Sequence, residues 1–143
     1  MPDIDNNGNS KFNCIIKSAS NGSNQIEGNI EVNDFNKPNI KWQGRAQLDP
    51  TFISQFTDSS NFIPSSGRIQ LDGMLSIIYD INQSKIVPNT FDYDGIITIK
   101  NIQGKTNNPR LTIHKLNAEI LSKNNNLTIQ KTQVNYNETK ATI

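Results

Sequence analysis

Between residues 67 and 81 the chain keeps a two-residue alternation. Ile69, Leu71, Gly73, Leu75, Ile77, Tyr79 and Ile81 share one parity. Arg68, Gln70, Asp72, Ser76 and Asp80 share the other, with Met74 and Ile78 as exceptions. Successive side chains of a β-strand point to opposite faces, so this pattern builds one apolar face and one wet face. A strand of that length runs roughly 45–50 Å at ~3.3 Å per residue. Ordinary strands hold about five or six residues. Gly73 offers a point at which such a strand can bend.

The same period recurs elsewhere. In 39–48, Ile40, Trp42, Ala46 and Leu48 alternate with Lys41, Gln43, Arg45 and Gln47. In 25–34, Ile26, Ile30 and Val32 stand against Glu27, Asn29, Glu31 and Asn33. Further strands are expected near 11–18, 93–100, 110–115, 116–122, 126–131 and 132–136. Asn21-Gly22-Ser23, the stretch from Gly104 to Pro109, and Asn124-Asn125-Asn126 supply turn chemistry between them. One short helix is expected near 50–57. Asp49 suits its N-cap and Pro50 its first turn, and Phe52, Ile53 and Phe56 fall on one side as a plug over the sheet end. Gly28–Phe35 leading to Pro38–Trp42, and Gly95–Ile102 leading to Pro109–Ile113, read as a repeated hairpin.

The 143 residues fit one domain with a modest core, and 34% hydrophobic content leaves many polar residues for exposed faces. Residues 1–10 are polar and read as a disordered lead-in, with a single β-rich domain over 11–143. The polar start and abrupt end read as a piece of a longer, anchored chain. The 14 basic and 13 acidic side chains give a net charge of +1. No stretch concentrates Lys or Arg, which argues against a nucleic-acid partner.

Catalytic chemistry is hard to find. Cys14 is the only cysteine and His114 the only histidine, far apart in sequence. Neither a disulfide nor a zinc site can be built from them, and Cys14 reads as a small buried hydrophobe. Asp92 and Asp94 flank Tyr93 and share a face, where they form a wet edge. No phosphate-binding glycine loop, nucleophile elbow or paired-histidine helix occurs. The expectation is therefore a protein that is not an enzyme, with no metal and no cofactor. The one-sided strands fit two architectures: a closed β-sandwich, as in an adhesion or carbohydrate-binding module, or an open groove for an apolar ligand.

The span from Asn33 to Phe56 has a recognisable order: strand, proline turn at Pro38, strand through Trp42, then a short helix ending in Phe56. The glycine-containing strand that begins Gly67-Arg68-Ile69-Gln70-Leu71-Asp72-Gly73 follows. This resembles the later β-rich segments of bacterial AsmA-like proteins, and the likeness continues through Gly95–Ile102 and Leu111–Leu127. The resemblance implies an all-β fold whose long antiparallel strands form a curled, groove-like sheet with one short helix. It implies a periplasmic segment, anchored to the inner membrane by an upstream part of the parent protein. It also implies that the groove shields lipid acyl chains between envelope membranes, contributing to outer-membrane biogenesis. The groove candidates are Ile26, Ile30, Val32, Ile40, Trp42, Ile69, Leu71, Leu75, Ile77, Ile97, Ile99, Leu111 and Ile113.

Overall fold

The computed structural model describes residues 3–4, 10–54, 62–107, 110–137 and 139–142. They form ten antiparallel strands and one short helix. The strands are β1 (Asp3–Ile4), β2 (Ser10–Asn21), β3 (Asn24–Asn33), β4 (Asn39–Leu48), β5 (Phe62–Asp80), β6 (Lys85–Ile86), β7 (Asp92–Asn107), β8 (Arg110–Lys123), β9 (Asn126–Tyr136) and β10 (Thr139–Thr142). Their order in space is β1-β2-β3-β4-β5-β7-β8-β9-β10, with β6 pairing β5 beside the main path. The fold is thus all-β, a single open antiparallel sheet. The described residues form one sheet and not the two facing sheets of a sandwich.

Turn chemistry follows the sequence closely. Gly22 and Ser23 connect β2 to β3, with Asn21 paired to Asn24. Asn124 and Asn125 connect β8 to β9 at φ 50° and 59°. Two successive left-handed residues match the twist of a right-handed hairpin, and asparagine tolerates that conformation. The carboxylate Oδ1 of Asp94 accepts from the Asn124 N–H at 2.7 Å and fixes this turn to β7.

Several elements differ from the sequence reading. Asp3 and Ile4, inside the expected disordered lead-in, pair with Lys11 and Ser10. The two strands expected at 110–115 and 116–122 are one strand, as are those at 126–131 and 132–136. The expected turn from Gly104 is strand as far as Asn107, and Gly104 pairs with Pro64 and Ile113. In the two strands that the sequence splits, a bulge reverses the parity and imitates a break. The ladder shifts between Ile113 and Lys115, between Glu119 and Ile120, and between Ile99 and Ile102. At the last of these Asn101 takes φ 52°, and its N–H donates to the Asn117 Oδ1 at 2.7 Å.

The helix α1 (Pro50–Ile53) is one turn long. Asp49 caps it: Oδ1 accepts from the Thr51 N–H at 2.8 Å and from the Thr51 hydroxyl at 2.6 Å. Helix α1 packs on β5. Ser54 closes it, and residues 55–57 of the expected helix, Phe56 among them, lie outside the described residues.

Candidate functional site

The register places four glycines in one row across four neighbouring strands. Gly28 pairs with Gly44, Gly44 with Gly73, and Gly73 with Gly95. All four have the parity of the apolar face. A Cβ at Gly28 would collide with the Gln43 carbonyl oxygen, and one at Gly44 with that of Glu27. At Gly73 the obstacle is the Asp94 carbonyl, and at Gly95 the Asp72 carbonyl. Gly28 also takes φ 141°, a conformation side chains disfavour. Glycines aligned in this way let a sheet bend sharply, as a crease does.

The crease explains how one sheet makes a core. On one side of it lies the row Ile30, Trp42, Leu75 and Tyr93. On the other lies the row Ile26, Ala46, Leu71 and Ile97. These eight residues make up the main hydrophobic cluster. Trp42, Ala46 and Tyr93 are buried, and the other five are half-buried around them. The two rows pack into one cluster around the glycine row, and large Trp42 and Tyr93 sit with the small Ala46 beside the bare glycine backbone. Tyr93 leans back over the crease: its hydroxyl lies 2.9 Å from where a Gly95 Cβ would be. It donates to the Ile96 carbonyl at 3.2 Å. Burial raises the Tyr93 pKa above its ordinary value, and the nearby Asp72 charge adds to the rise. Ser122, opposite Gly95 on β8, donates to the Tyr93 carbonyl at 2.5 Å.

Six groove candidates, Ile26, Ile30, Trp42, Leu71, Leu75 and Ile97, are thus members of the crease. Val32, Ile40 and Ile77 form the next row on one side, and Ile69 and Ile99 pair in the next row on the other. Leu111 and Ile113 are not brought to the crease. They lie opposite Thr106 and Gly104, beyond the β8 bulge. Sequence reasoning missed Gly28, Gly44 and Gly95 as parts of the site, along with Ala46 and Tyr93. The signal was present: Ile26-x-Gly28-x-Ile30, Trp42-x-Gly44-x-Ala46, Leu71-x-Gly73-x-Leu75 and Tyr93-x-Gly95-x-Ile97 repeat one pattern.

The apolar face extends past the crease to the outer strands, with no covering layer among the described residues. Phe12 on β2 lies opposite Val32. Leu127 and Ile129 on β9 lie opposite Ser122 and Ile120, and are 68% and 66% exposed. Trp42 and Tyr93, each 6% exposed, occupy the centre of the crease. A depression of about 520 Å³ is walled by Gln25, Glu27, Arg45, Gln47, Asp72 and Thr98, with Ile26, Ala46, Leu71 and Ile96 also lining it. There Arg45 bridges to Asp72 at 3.1 Å, with both side chains largely exposed, and such pairs add little stability.

Other sequence candidates carry no such arrangement. His114 is exposed at the β8 bulge. Cys14 is half-buried opposite Ile30, on the apolar face. Among the described residues, no group of three or more His, Cys, Asp or Glu is placed to hold a metal ion, and no helix is long and apolar enough to cross a membrane.

Two buried polar atoms lack a hydrogen-bond partner among the described residues: Asn135 Oδ1 and Trp42 Nε1. Asn135 sits opposite Lys115, away from the crease. Trp42 stands within it, 6% exposed. An indole N–H can only donate, and a buried donor without an acceptor costs about 1–3 kcal/mol.

No family model, no curated protein and no solved structure matches this chain.

Proposed function

We propose that this chain is a non-catalytic segment of an AsmA-like envelope protein that holds lipid acyl chains against the apolar face of its sheet. The observation that carries this reading is that face itself: it runs from β2 to β9, and no second layer of the described residues lies over it. Monomeric soluble proteins rarely leave continuous apolar surface uncovered unless something binds there. The sequence resemblance around Asn33–Phe56 supports the same reading. An acyl chain lying across the strands would gain about 0.8 kcal/mol per buried methylene, with its head group left in water. Aliphatic walls offer no directional bonds, so chain length would matter more than chain identity. In this reading the segment works in the periplasm, held to the inner membrane through other parts of the parent protein, and contributes to outer-membrane biogenesis.

Photo-crosslinking tests the proposal. A photoreactive residue is placed at position 40, 77 or 129 on the apolar face, or at 43 or 72 on the polar face. The folded chain is incubated with phospholipid vesicles, and adducts are read by mass spectrometry. Lipid adducts at the first set and few at the second are expected. Equal labelling of the two faces, or none on folded protein, overturns the proposal.

A further inference from the structure

We propose that the Trp42 indole N–H is the one polar contact in the crease, and that it receives the carbonyl oxygen of an ester-linked acyl chain. This rests on the lipid-binding reading and names the ligand class within it. Three observations carry it. The Trp42 Nε1 is buried in a residue only 6% exposed and has no partner among the described residues. The cross-strand neighbours of Trp42 are Ile30 and Leu75, which offer no side-chain acceptor. The hydroxyls of Tyr93 and Ser122 on the same face donate to the Ile96 and Tyr93 carbonyls, and neither accepts from the indole.

The acceptor is neutral. A free fatty-acid carboxylate would need a cation when desolvated, and the basic groups flanking Trp42 on its strand, Lys41 and Arg45, have the opposite parity and face the polar side. An ester carbonyl needs no counter-charge. Ile30 and Leu75 are half-buried beside Trp42, so a chain laid against them borders the indole, and an outward turn of the ring would bring its N–H to the ester.

The test exploits the single tryptophan. The full chain, ¹⁵N-labelled, shows one indole N–H resonance. It is titrated with methyl palmitate, hexadecane and palmitate, each delivered from cyclodextrin. We expect the indole resonance to move downfield with the ester alone. We also expect the ester to bind about tenfold more tightly than the alkane, the worth of one net hydrogen bond. Trp42→Phe keeps alkane binding and loses the preference. Alkane and ester binding equally, with the same indole response, overturns the inference and leaves the lipid reading standing. Palmitate binding more tightly than its ester overturns the neutral-acceptor assignment. Failure of all three probes to bind folded protein sinks both. If Trp42→Phe does not fold, the wild-type resonance and the ester-to-alkane ratio still decide.

Discussion

Replacing Gly44 with alanine adds one methyl group, and the methyl has nowhere to go. It would meet the Glu27 carbonyl and the Gly28 Cα on the neighbouring strand. Backbone cannot yield as a flexible side chain can, so Gly44→Ala is expected to cost about 3 kcal/mol. Gly22→Ala is the control. Gly22 sits in an open turn at φ 60°, with nothing near its missing Cβ. Only left-handed strain of about 1 kcal/mol applies there. Urea unfolding of the two variants should rank them in that order; equal losses would count against the crease. Tyr93 gives a second test at this scale. Its pKa is raised in the folded chain, chiefly by burial. Folding therefore favours the protonated phenol. That contribution is fully present below the unfolded value near 10 and is lost as pH rises through the higher folded value. The chain should lose stability above about pH 10, and Tyr93→Phe should lessen that alkaline loss.

Helix α1 is a single turn, and its definition depends on one residue. Hydrogen bonds from the hydroxyl and then the N–H of Thr51 hold the Asp49 carboxyl below its ordinary pKa, with the Ser23 hydroxyl assisting. The depressed value means that the cap stabilises above the ordinary carboxylate range and fades as pH falls through the folded pKa. Asp49→Ala should cost about 1 kcal/mol at neutral pH, while Asp49→Asn should retain most of the cap. Thermal melts at pH 7 and in acid would show the alanine deficit shrinking as the carboxylate protonates. This helix start was legible because capping is local chemistry: aspartate, proline and threonine stand side by side. Strand parity was legible for the same reason, and even the exception Met74 fits, being 43% exposed on the polar side. Bulges were not legible. At His114 and near Glu119 the ladder skips, parity reverses, and one strand reads as two. The crease was hidden for a different cause. Its glycines lie on four strands, and only the pairing register brings them into a row.

A single-layer sheet has little interior. No described side chain is completely enclosed, and the chain exposes 10108 Å², against about 7,400 Å² for a compact protein of its mass. Stability should accordingly be concentrated along the crease. In hydrogen exchange, the slowest amides are expected on β4, β5 and β7, and faster ones on β2 and β9; uniform protection would contradict that. The same glycine row bears on how the chain avoids kinetic traps. A strand that slides by two residues keeps its apolar side chains on the correct face, so alternation alone raises no objection. Such a slide would carry Trp42 or Ala46 into the glycine row, where the adjoining backbone leaves no space for a Cβ. The row thus acts as a key that only one alignment fits. It rejects misaligned sheets that hydrophobicity would accept, and in a protein with so small a core that rejection guards against a population of near-equivalent misfolded states.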